Sequence, residues 1–119
     1  MTINYWTAYI CMYYLLKAYW EQTKLDDLGG LLGSMRPDLF SGGMPIDKKL
    51  VDDWEIITGE SEDINEEEAF DYVIKFLEKQ SEWLNIDSLI LDLKSSIDFK
   101  KDYWLLCLQT IKEKGDNSV

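Results

Sequence analysis

The chain has 119 residues and no histidine, which removes the commonest general base and the commonest metal ligand together. Cysteine is nearly as scarce. Cys11 and Cys107 lie near opposite ends of the chain, each inside an apolar run, so no pair has metal-ligand spacing and both read as reduced, buried, small hydrophobes. A bridge between them would join the two ends, but nothing in the sequence signals an oxidising compartment. Bases are few: 12 Lys and Arg stand against 23 Asp and Glu, a formal net charge of -11. Such a chain repels phosphate backbones and anionic lipid, so direct nucleic-acid or membrane binding by charge is excluded and a basic protein is the natural partner. Solubility alone would also account for acidity. No apolar run reaches the roughly 20 residues of a bilayer span. The longest, Tyr5 to Trp20, contains Lys17 and several tyrosines. It has neither a basic region before it nor a small-residue cleavage site after it, so it reads as a buried helix of a cytoplasmic protein.

What is present is helical periodicity. Hydrophobic residues make up 46% of the chain, enough for one ordinary core in one domain, residues 1–119. Tyr5, Tyr9, Met12, Leu16, Tyr19 and Thr23 recur at three and four, with Trp6, Tyr13 and Trp20 widening the stripe, which predicts a first helix. Leu25, Leu28, Leu31 and Leu32 continue the period behind Asp26 and Asp27, either able to cap a short second helix. Gly29, Gly30 and Gly33 weaken that helix or let something approach it closely. Both prolines and the Gly42-Gly43 pair mark Arg36 to Asp47 as an irregular loop, and Asp47 looks like the N-cap of a third helix running to Gly59. Asn65 with Glu68 has capping-box spacing and opens a fourth helix carrying Phe70, Val73, Ile74, Leu77 and Leu84. Ile86, Leu89, Ile90, Leu93 and Ile97 predict a fifth, and Phe99 to Ile111 a sixth that stops near Gly115. The expectation is an all-α, compact bundle of about six helices.

A weak internal repeat divides the chain into residues 1–59 and 60–119. Ala8-Tyr9 matches Ala69-Phe70, Leu15-Leu16 matches Phe76-Leu77, and Leu25-Asp26 with Leu28 matches Ile86-Asp87 with Leu89, all at one offset. After a shorter loop Asp53-Trp54 matches Tyr103-Trp104. Two similar three-helix halves sharing one core would give this agreement, and so would helical periodicity common to both.

Enzyme motifs are missing. The chain has no phosphate-binding Gly-Lys-Ser or Gly-Lys-Thr, no Gly-x-Ser-x-Gly elbow and no calcium-loop spacing around Gly59. Carboxylates abound, but nothing singles out a catalytic pair. We therefore expect no catalytic residues, no metal and no cofactor. The charge is instead concentrated: Asp52, Asp53, Glu55, Glu60, Glu62, Asp63, Glu66, Glu67, Glu68 and Asp71 are ten acids in twenty residues without a base. One reading is a solvated linker whose acids favour a helix N-terminus, which suffices for Glu66 to Glu68. The other is a docking surface, with Asp52, Asp53, Glu55, Glu60, Glu62, Asp63, Glu67 and Asp71 meeting a cationic partner. Of the aromatics, Tyr9, Trp20, Trp54 and Trp104 fall on inward faces, while Trp6, Tyr13 and Trp83 are the surface anchors expected.

Between Tyr14 and Trp54 the chain reads Tyr19-Trp20-x-x-Thr23, then Asp26-Asp27-Leu28-Gly29-Gly30-Leu31-Leu32-Gly33-Ser34-Met35, then Met44-Pro45-x-Asp47 and Asp53-Trp54. This succession, about a third of the sequence, resembles a family of small bacterial immunity proteins encoded beside polymorphic toxins, including contact-dependent growth inhibition systems. It departs from the family at Ser41-Gly42-Gly43, where an Asp-Gly turn is expected. The resemblance implies a protein that binds and neutralises the C-terminal toxin domain of its own system, often a nuclease with a basic cleft. The alternative, on charge alone, is an acidic adaptor or nucleic-acid mimic that sequesters a basic protein.

Overall fold

Asn4 opens the first helix: its side-chain oxygen accepts the Thr7 backbone N–H at 2.8 Å, satisfying one of the donors a helix start leaves unpaired. In the computed structural model, which describes residues 2–35 and 48–117 and the last five of these by backbone only, six helices follow in order. They are α1 (Tyr5–Thr23), α2 (Asp26–Met35), α3 (Lys48–Thr58), α4 (Glu66–Gln80), α5 (Asp87–Ser95) and α6 (Ile97–Asn117). The radius of gyration is 13.7 Å, near the roughly 13.5 Å of a compactly packed chain of this length. The loop expected from Arg36 to Asp47, and the cap assigned to Asp47, lie outside the described residues.

α1 is the axis of the bundle. It packs on α6, α2 and α3, and α4 in turn packs on α3, α5 and α6. This covering from several sides explains why Thr7, Ala8, Tyr9, Cys11, Met12, Tyr13, Leu15 and Leu16 are all buried, a wider face than one stripe provides. Tyr13 is therefore core, 6% exposed, and not the surface anchor its position off the main stripe suggested. At the centre Tyr9, Trp54 and Phe76, from α1, α3 and α4, meet edge to face with centroids 5.7 to 6.4 Å apart. The polar ends are satisfied: Trp54 Nε1 donates to the Tyr5 carbonyl at 2.7 Å, and buried Tyr103 donates its hydroxyl to the Ala8 carbonyl at 2.7 Å.

Helix ends follow local chemistry, with three departures from the sequence pattern. Asn65 and Glu68 form the expected capping box. Leu84 lies beyond α4, which ends at Gln80. Ile97 does not close α5: Ser96 is extended, at φ -129 and ψ 123, and Ile97 begins α6 with 65% of its surface exposed. α6 runs through Gly115 to Asn117. Asp27 accepts the backbone N–H of Asn85 at 2.6 Å, tying α2 to the turn before α5. Of the α2 glycines only Gly29 is closely approached, since an added Cβ would lie 2.9 Å from Trp20 Nε1 while Gly30 and Gly33 face open space. The bridge Ile3–Ile64 pairs the chain start antiparallel to the α3–α4 connection, with N–H to carbonyl distances of 2.9 and 2.8 Å. Its two residues stand 61 apart, as do the helix caps Asn4 and Asn65.

Candidate functional site

The bridge decides where the acids go. Besides Ile3–Ile64, the Tyr5 N–H donates to the Ser61 carbonyl at 2.9 Å and the Thr2 hydroxyl to Asp63 Oδ1 at 3.3 Å, so residues 58–64 are laid along the start of α1. α3 stops because Gly59 takes φ 65, which glycine adopts freely. Glu60 follows at φ 55, a left-handed conformation few side-chain-bearing residues accept. The Thr58 hydroxyl steadies the turn, donating to the Trp54 carbonyl at 2.8 Å and accepting from the Glu60 N–H at 3.3 Å. The reversal turns Glu60 back onto Glu55, one turn up α3.

Glu55, Glu60 and Glu62 consequently surround the half-buried Tyr5, and Asp52 stands beside Glu55. Partial loss of water raises the Tyr5 phenol above its ordinary value, and the charges of Glu60, Glu55 and Glu62 add to it. Glu55 is also raised, first by desolvation, then by a hydrogen bond shared with Glu60 and by the charges of Glu60 and Asp52, with Lys48 acting the other way. Among the described residues none of Asp52, Glu55, Glu60 and Glu62 forms an ion pair. This is a patch of like charge with an aromatic ring at its middle.

The remaining predicted residues go elsewhere. Asp53 accepts from Gln80 Nε2 at 3.1 Å; Gln80 is fully buried and its Oε1 has no hydrogen-bond partner. Asp63 holds Thr2 at the bridge. Glu67 pairs with Lys100 of α6 at 2.8 Å and Asp71 with Lys75 at 3.2 Å, and both acids line an open groove between α4 and the α5–α6 junction. The acidic segment is thus one run in sequence and two surfaces in space: a patch around Tyr5 without ion pairs and an ion-paired edge along α4.

The aromatics divide as well. Trp83 is 55% exposed, as its pattern predicts, with the Lys49 ammonium 5.2 Å from its ring centroid. Trp6 is half-buried and stacks on Tyr9, centroids 5.1 Å apart. Tyr5 is the residue the sequence did not mark: its place on the inner stripe of α1 reads as core, and only the pairing of Ile3 with Ile64 surrounds it with carboxylates. No family model, no curated protein and no solved structure matches the chain.

Among the described residues no three acids or thiols converge as a metal site, and no helix is long and apolar enough to cross a membrane. What the patch can do chemically is accept: four carboxylates offer only hydrogen-bond acceptors and negative charge, which suits the donor forks of arginine and the ammonium of lysine.

Proposed function

We propose that the chain is an immunity protein that binds the C-terminal toxin domain of its own system and covers a basic active-site cleft with the patch around Tyr5. One observation carries the reading: Glu55, Glu60 and Glu62 are gathered around Tyr5 with Asp52 beside Glu55, and among the described residues none of the four acids is held in an ion pair, Lys48 opposing their charge only at Glu55 and without pairing. Like charges held together destabilise the free chain and are compensated when a cationic surface meets them. Tyr5 offers a rigid aromatic contact in their midst, the kind of residue that anchors interfaces. The resemblance of the Asp26 to Met35 run to immunity proteins supplies the class of partner, although that run itself serves packing through Gly29 and Asp27. Tight inhibition requires an interface of roughly 1,600 Å², of which this patch would be the charged centre.

The test is a pair of charge reversals, measured by titration calorimetry against the toxin domain encoded just upstream. Glu60→Lys with Glu62→Lys is expected to weaken binding by about a hundredfold or more, the scale of two lost charge contacts at roughly 1.4 kcal/mol per factor of ten. Glu67→Lys with Asp71→Lys is expected to change affinity less than threefold. Equal losses in the two variants, or none in the first, would remove the Tyr5 patch from the mechanism.

A further inference from the structure

The buried seam between the first and last helices holds both of the chain's thiols. Cys11 and Cys107 are both fully buried, on α1 and α6. Contacts one turn away on either side fix their register. Toward one end, the Cys11 thiol lies 3.4 Å from the hydroxyl of Thr110, three residues after Cys107. Toward the other, Tyr103, four residues before Cys107, donates to the carbonyl of Ala8, three residues before Cys11, at 2.7 Å. Positions three and four apart share a helix face, so Cys107, flanked by Tyr103 and Thr110 on α6, faces the stretch of α1 that carries Ala8 and Cys11. The proximity of the Cys11 thiol first, and then desolvation, push the ionisation of Cys107 upward.

We propose that Cys11 and Cys107 are a disulfide-competent pair that, on oxidation, fastens α1 to α6 and closes nearly the whole chain into a loop. With hydrogen peroxide as oxidant the step balances. One thiol, as thiolate, attacks a peroxide oxygen and becomes a sulfenic acid with release of one water; the second sulfur displaces the sulfenic hydroxyl, which leaves as a second water. Two thiols thus lose two protons and two electrons, and peroxide accepts both. Burial in an apolar seam disfavours the thiolate, so the native protein oxidises slowly, at the rate the seam opens. Once formed, the bond acts chiefly on the unfolded state, which it forbids from separating its ends, and the effect is largest for long loops.

The inference is independent of what the protein binds, and the full-length chain tests it directly. Protein incubated with hydrogen peroxide for hours to days, then analysed by mass spectrometry under non-reducing conditions, should lose two mass units as a monomer and have no titratable thiol. Its melting temperature should rise by roughly 10 °C or more and return on addition of dithiothreitol. Cys107→Ala, which keeps a small apolar side chain, should show neither change. Thiols still intact in the native chain after days in peroxide, oxidation only to sulfinic acid or to intermolecular dimers, or a disulfide that lowers the melting temperature would each overturn the proposal.

Discussion

Glu55 shows how a surface carboxylate becomes a liability that function can exploit. Its ionisation is raised above the ordinary 4.5, foremost by desolvation and then by Glu60. An acid raised on folding binds its proton more tightly in the native than in the unfolded chain, so its contribution to stability is present below pH 4.5 and is lost as pH rises through the raised value. At pH 7 the charge on Glu55 opposes folding. Glu55→Gln should therefore raise the melting temperature at pH 7, with the gain vanishing below about pH 4, where the wild-type carboxyl is already protonated. A variant less stable than wild type at pH 7 would show that the charge is compensated. Individual residues were unevenly legible from sequence. Tyr9 and Trp54 were readable as core from their spacing, and both are fully buried. Tyr13 and Tyr5 were not, because the number of elements covering α1, and the strand-like pairing at its start, are tertiary facts with no periodicity of their own.

At the scale of elements the sequence spoke most clearly. All six helices follow from hydrophobic spacing, and Asn65 with Glu68 names the start of α4 by a mechanism that operates locally. Boundaries failed where no glycine or proline marks them: the α5–α6 break falls on Ser96, and Ile97, spaced four from Leu93, keeps the period of the helix it has left. Gly115 misleads in the opposite sense, since α6 continues through it. The glycines of α2 allow a sharper test. Glycine in a helix interior costs about 0.5–1 kcal/mol relative to alanine. Gly30→Ala and Gly33→Ala, with nothing within 4 Å of the added carbon, should each raise stability by about that amount in urea denaturation. Gly29→Ala must displace the Trp20 indole, 2.9 Å away, and should forfeit the gain. Three equal increments would mean that the close approach of Trp20 to Gly29 carries no energetic weight.

For the whole molecule, charge and connectivity act together. The sequence located ten acids in one segment but treated them as one surface. Helical geometry divides them: Glu67 and Asp71, four apart on α4, turn toward Lys100 and Lys75, whereas the reversal at Gly59 and Glu60 brings Glu55, Glu60 and Glu62 around Tyr5. The four-residue spacing of Glu67, Asp71 and Lys75 was legible beforehand; the reversal, which needs a left-handed glutamate, was not. The most direct measurement of the central claim is growth of cells expressing the C-terminal domain of the protein encoded just upstream, with and without this chain. Toxicity relieved by the chain, the two proteins copurifying, and relief abolished by Glu60→Lys with Glu62→Lys but retained by Glu67→Lys with Asp71→Lys is the predicted result. Toxicity that the chain leaves unrelieved, or relief without a stable complex, would contradict neutralisation by direct binding.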